Sequence, residues 1–90
     1  MQFEYDPAKS AANQEKHGLD FEDAQDLWRD PNRLLIDARS DGESRSAMIG
    51  AIEKRVWTAI FTRRDDKVRL ISVRRARDTE MKLYEDNLDS

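Results

Sequence analysis

The chain has one imidazole. The stretch "SAANQEKHGLDFEDAQ", residues 10–25, holds His17 between Lys16 and Gly18. Among side chains, histidine has the unperturbed pKa best placed to take or give a proton near neutrality. At about 100° per residue, Lys9, Asn13, Lys16 and His17 share one polar stripe if this segment is helical. A second chemistry-bearing group is "RLISVRRARDTE", residues 69–80, which places Arg69 and Arg74 on a strand with opposite parity and then adds Arg75 and Arg77. Guanidiniums in such a setting pair with carboxylates or hold a phosphate. Arg45 and Arg63 stand at the ends of neighbouring strand-like segments. Arginines converging near one sheet surface suit a phosphodiester whose transition state gains negative charge. Both groups also have a plain structural reading. Lys-His-Gly is a good helix terminator, because cations complement the negative end of the helix dipole and glycine accepts the left-handed conformation. The arginines have Asp37, Glu43 and Glu80 as potential partners.

Other site chemistries fail on composition and spacing. The chain has no cysteine and a single histidine, which leaves neither disulfides nor a zinc constellation. "DARSDGE" begins like a calcium loop, but Arg39 and Met48 occupy positions that need oxygen ligands. Gly18, Gly42 and Gly50 are scattered, so no phosphate-cradling loop forms. What remains is metal-independent chemistry by His, Lys and Arg, with no cofactor, or no chemistry at all.

The elements that must position these groups are readable in outline. "QFEY" reads as a short strand. Asp6 then caps a helix with Pro7 at its first position, and Gly18 ends it. On that helix Ala8, Ala11 and Ala12 are small enough to bring it close to a sheet. "LDFEDAQDLWRD" starts a second helix capped by Asp20, with Phe21, Ala24, Leu27 and Trp28 as its apolar stripe and Pro31 as its stop. The period then changes to two. "RLLIDA", "RSAMIGAI", "VWTAIFTR" and "VRLISVR" are strands joined by the short turns "SDGE", "EKR" and "RDDK". Trp57, Ala59 and Phe61 share a face suited to a helix-covered core, and Val56, Thr58, Ile60 and Thr62 share the other, which can face a groove. A last helix over residues 78–88 places Met81, Tyr84 and Leu88 on one side. The order β-α-α-β-β-β-β-α predicts an α+β fold, a mostly antiparallel sheet with helices packed on one face. Trp57, Phe61, Phe21, Leu27 and Ile71 are the expected core.

The 90 residues make one domain, 1–90, near the small end for a self-supporting core. No segment suits a membrane span or a signal peptide, and a cytoplasmic protein fits. The net charge of −3 hides an asymmetry. Residues 43–77 carry ten Lys/Arg against four acids, whereas the flanking segments are acidic. That middle block is a candidate basic face for a polyanion, or a solvated surface rich in arginine.

The combination of Tyr5-Asp6, Lys9, Asn13, Lys16-His17-Gly18, Phe21 and Ala24 with Arg45, Gly50, Arg69-x-Ile71-Ser72-x-Arg74-x-Ala76, Glu80 and Tyr84 resembles the BrnT toxins of bacterial type II toxin–antitoxin systems. The resemblance covers essentially the whole chain. Departures are modest: Tyr5 stands where the family usually has Trp, the turn after Arg63 lacks glycine, and Arg77 stands where a Ser/Thr would complete a capping box. The resemblance implies a RelE-like fold and a ribonuclease acting on RNA without a metal, which inhibits translation. It also implies a cognate BrnA-like antitoxin with a ribbon-helix-helix module, a hetero-oligomer with that antitoxin, and contact with DNA only through it. On this reading His17 serves a proton-transfer step, and Arg69 and Arg74 hold the phosphate and its transition-state charge. Lys9, Lys16, Arg45 and Arg63 hold flanking RNA backbone. Glu80 and Tyr84 orient arginines or move a proton. The alternative is a non-catalytic interaction module with a basic sheet face for an acidic partner. A helix-turn-helix formed by the first two helices is disfavoured, since Asp20, Glu22, Asp23 and Asp26 would meet phosphate with the wrong sign.

Overall fold

A computed structural model describes residues 1–40 and 43–89, with side chains for 1–38 and 44–89. Strand β1 (Gln2–Glu4) leads into helix α1 (Pro7–His17). The Asp6 carboxylate accepts the Ala8 N–H at 2.8 Å. Gly18 ends the helix at φ 88°, with its N–H on the Gln14 carbonyl. The helix turns Ser10 and Asn13 inward, not its alanines: these two are buried, while Ala8, Ala11 and Ala12 are exposed, as are Lys9 and Lys16 of the polar stripe. The reason lies in what α1 covers.

The next segment is a 3-10 helix, Asp23–Arg29, where an α-helix was expected. Asp20 is not its N-cap: Glu22 holds that position without a side-chain cap bond, and Asp20 instead accepts the Asp23 N–H at 2.8 Å from the preceding turn. Ala24 and Leu27 stack at three residues per turn, and Phe21, in the turn just before the helix, extends their row. That row is at most 1% exposed and forms the roof of the core.

Four strands follow: β2 (Leu34–Ser40), β3 (Glu43–Ile52), β4 (Arg55–Arg64) and β5 (Lys67–Arg75). They form an antiparallel meander, and β1 adds in parallel to β5, giving the mixed order β1-β5-β4-β3-β2. The SDGE turn falls partly outside the described residues. Trp57, Ala59 and Phe61 are buried on one face against Phe21, Leu27, Val68, Leu70 and Val73, and the rings of Phe3, Trp28 and Phe61 meet edge-to-face. β3 passes so close to the 3-10 helix that a Cβ on Gly50 would lie 3.2 Å from the Leu27 carbonyl oxygen.

A bulge in β5 decides which residues face where. Phe61 pairs with Leu70, yet Ile60 pairs with Ser72, so Ile71 has no partner. The extra residue flips the parity of the strand. Leu70 and Val73, three apart, both enter the core, and Ile71 is half-exposed on the opposite face. Ile71 is therefore not the core residue that strict alternation predicts. Arg69 and Arg74 pair with Thr62 and Thr58, which share one face of β4, so the two arginines share that face as well.

Helix α2 (Asp78–Leu88) lies over this second face: its Glu80 bonds to Thr58 and Arg74, opposite Trp57 and Val73. The helices are thus not confined to one face, contrary to the expectation from the pattern. Tyr84 is buried, Met81 is half-buried and Leu88 is exposed. Glu80 also accepts the Arg77 N–H at 2.8 Å, which supplies half of a capping box.

The β4–β5 turn carries an expected result. Asp65 and Asp66 sit at φ 51° and 66° between the paired Arg64 and Lys67, a two-residue hairpin loop that favours Asn-Gly. Asp66→Gly should stabilise the chain by about 1 kcal/mol, measurable as a raised urea midpoint with an unchanged slope.

Candidate functional site

α1 runs beside the free edge of β5, beyond the point where β1 pairing ends. There Val73 presents an outward N–H and C=O that no strand takes. Asn13 takes both: its Oδ1 accepts the Val73 N–H at 3.1 Å, and its Nδ2 donates to the Val73 carbonyl at 2.8 Å. The same Nδ2 donates to the Leu19 carbonyl at 2.7 Å. Next to it, Ser10 Oγ accepts the Phe21 N–H at 2.9 Å. A polar helix face is what an open sheet edge requires. The lysines flank this clamp. Lys9 and Lys16, seven residues apart, point within about 20° of each other. His17 closes the helix about 6 Å past Asn13 by helical rise and is half-buried.

On the face shared by Arg69 and Arg74, a groove of about 410 Å³ opens at the end of β4 and β5. Lys9, Arg45, Arg63, Arg64 and Arg69 line it together with Thr62 and Ile71. Four expected site residues are thus gathered in one place, and Arg64 joins them. Alternation from Thr62 along β4 was the signal for Arg64. Arg69 is held loosely: Glu4 of β1 accepts from it at 3.5 Å, and 40% of its side chain is exposed. Lys16, His17, Arg74, Glu80 and Tyr84 do not line this groove.

Arg74 lies about 13 Å from Arg69 along the sheet, because the bulge leaves their partners Thr58 and Thr62 four residues apart at strand rise. Glu80 grips it with two hydrogen bonds, at 2.7 and 3.0 Å. Thr58, fully buried, donates to the same carboxylate at 3.0 Å. Burial by itself raises the Glu80 pKa, but the bonds from Arg74, the Arg77 N–H and Thr58 outweigh it and lower the value to about 2. The Glu80 bond raises the Arg74 pKa against the opposing effect of burial. Glu80 is therefore ionised across the neutral range and holds an arginine.

Tyr84 does something else. Its hydroxyl donates to Asp30, not to an arginine or a groove residue. Asp30 also accepts the Ala51 and Asn32 N–H groups at 2.8 Å, and so ties the end of the 3-10 helix to β3 and α2. Burial and the Asp30 bond push the Tyr84 pKa up to about 12. The basic block of the sequence also divides in space: Lys54 and Arg55 lie at the opposite end of β4, around a hollow with Asp23, Asp26 and Glu53.

A family model described as the ribonuclease toxin BrnT of type II toxin–antitoxin systems matches residues 5–80. The chain belongs to the BrnT toxin family. An RNA target and an antitoxin partner come with that membership. The matched span includes every groove residue and the Arg74–Glu80 pair, and stops before Tyr84. No curated protein matches the chain significantly.

The Glu80 geometry gives this BrnT family member an acid-sensitive step. A carboxylate whose folded pKa lies below its ordinary value near 4.5 contributes stability that is complete above about pH 5 and is lost as pH falls toward 2. Denaturant titrations from pH 6 to pH 2 should show that decline, and Glu80→Gln should flatten it. An unchanged slope in the variant would assign the acid limb to other carboxylates.

Proposed function

We propose that this toxin is a cytoplasmic endoribonuclease with a RelE-like fold that inhibits translation by cutting RNA without a metal ion. The observation that carries the reading is the convergence of five cationic side chains on one groove, with an arginine clamped by Glu80 farther along the same face of the sheet. Metal-independent cleavage requires a base for the 2′-hydroxyl proton, fixed positive charge for the phosphorane, and an acid for the leaving 5′-oxygen. Arg69 and Arg74 supply the charge. Arg74 is preorganised by its two bonds to Glu80, and Arg69 is free enough of Glu4 to turn to a phosphate. Lys9, Lys16, Arg45 and Arg63 hold flanking backbone. His17, on the helix that Asn13 locks to β5, serves the proton transfers. Glu80, with a pKa of about 2, acts by orienting Arg74.

The same face serves a cognate BrnA-like ribbon-helix-helix antitoxin, which covers the arginines in a toxin–antitoxin hetero-oligomer and alone makes contact with DNA. The testing experiment incubates purified, antitoxin-free protein with RNA in excess chelator. Cleavage that persists supports the proposal. Cleavage that requires Mg²⁺ removes the mechanism, and a folded, RNA-inert protein leaves an interaction module.

A further inference from the structure

We infer that the groove takes single-stranded RNA by its phosphate backbone, with little discrimination among bases. The inference rests on the ribonuclease reading above and concerns what that site recognises. Sequence-specific RNA recognition splays bases out, stacks them on aromatic rings and reads their edges with hydrogen-bonding side chains. Here the Phe, Tyr and Trp rings are engaged elsewhere, and His17 does not line the groove. Six belong to the core cluster or pack against it, and Tyr84 is buried beneath α2. None lines the groove.

Edge readers are equally scarce among the described lining residues. Thr62 is the single neutral polar side chain there, and its hydroxyl donates to the Ser44 carbonyl at 2.9 Å. Ile71, turned outward by the bulge, has no polar atom. The rest of the lining is lysine and arginine. The guanidinium planes of the lining can stack on bases, but they do so on any base alike, and few neutral groups remain to read an edge. Five cations around about 410 Å³ instead match closely spaced phosphates. Single strands are favoured over duplex because a pliable backbone can bring successive phosphates onto cations gathered around one groove, whereas an A-form duplex holds its phosphates at fixed spacing.

The experiment measures binding of the full-length, antitoxin-free protein to labelled 2′-O-methyl 12-mers, which lack the attacking hydroxyl. Oligo-U, oligo-A, oligo-C, a mixed sequence and its duplex are titrated by fluorescence anisotropy at several salt concentrations. Single strands should bind within about fivefold of one another and more tightly than the duplex. The log–log salt slope should reach at most about −3.5, from about 0.7 per phosphate contact. Arg64→Ala should weaken all single strands alike and reduce the slope by about 0.7. One sequence bound more than tenfold tighter, a base-dependent effect of Arg64→Ala, or equal binding of duplex overturns this inference and leaves the nuclease reading standing. Absence of binding to any oligonucleotide overturns both.

Discussion

Arg69→Ala should lower the rate of RNA cleavage by about 10²–10³, the usual cost of losing one preorganised donor to transition-state charge, with little change in stability. The geometry predicts this separation. Arg69 contacts Glu4 at 3.5 Å, and both side chains are partly in water, at 40% and 30% exposure. A surface pair of this kind contributes about 1 kcal/mol or less. Arg74→Ala should behave differently. It leaves the Glu80 carboxylate, with only 12% of its side chain exposed, without its counter-charge, and breaking such a pair costs about 3 kcal/mol. Its loss of activity will therefore come with a loss of stability. Arg69→Lys keeps the charge but not the fork, and should recover only part of the rate. The measurement is single-turnover cleavage alongside a denaturant curve for each variant. A folded Arg69→Ala protein cutting at the parental rate removes Arg69 from the site.

Asn13→Ala should be the most destabilising polar substitution in the chain, at about 3–5 kcal/mol. One side chain satisfies the N–H and C=O of Val73 and the C=O of Leu19, all three contacts being buried. Alanine strands them together, and each unsatisfied group costs about 1–3 kcal/mol. For a domain whose total stability is on the order of 5–15 kcal/mol, that approaches unfolding. Asn13→Asp is the informative companion. It preserves shape and can still accept from Val73 N–H, but it sets a carboxylate against two carbonyl oxygens. Protonation restores a donor and this site raises the carboxyl pKa, so the variant should regain stability relative to the parent as pH falls toward the ordinary aspartate value of about 4. Equal stability of the parent and both variants at pH 7 would show that α1 is held to β5 by other means.

Much of the fold was legible along the chain because its causes are local. The Asp6 cap, Pro7 and the Gly18 stop bound α1 as their backbone chemistry requires. Four period-two runs gave four strands, since alternation reflects a sheet with one buried face. The Phe21-Ala24-Leu27 row was visible too, although its spacing of three was the mark of a 3-10 helix that an α-helical reading passes over. The site residues were legible as types. Lysines and arginines in a chain with no cysteine and one histidine leave few chemistries, and their motif resembles the family to which the chain belongs.

What tertiary structure alone decided is which of these residues meet. Strict alternation sends Arg69 and Arg74 to opposite faces; the unpaired Ile71 brings them to one, and a bulge is a property of two strands in register rather than of one. Glu4 became the partner of Arg69 because β1 joins β5 in parallel across 65 residues of sequence. Asn13 looked like one member of a surface stripe until the free edge of β5 gave its amide something to bond. Glu80 and Tyr84 share a helix, yet one holds Arg74 and the other Asp30. Local sequence sets backbone conformation and side-chain type. The partner of a buried polar group is set by which distant backbone or charge would otherwise remain unsatisfied, and that is known only once the chain has folded back on itself.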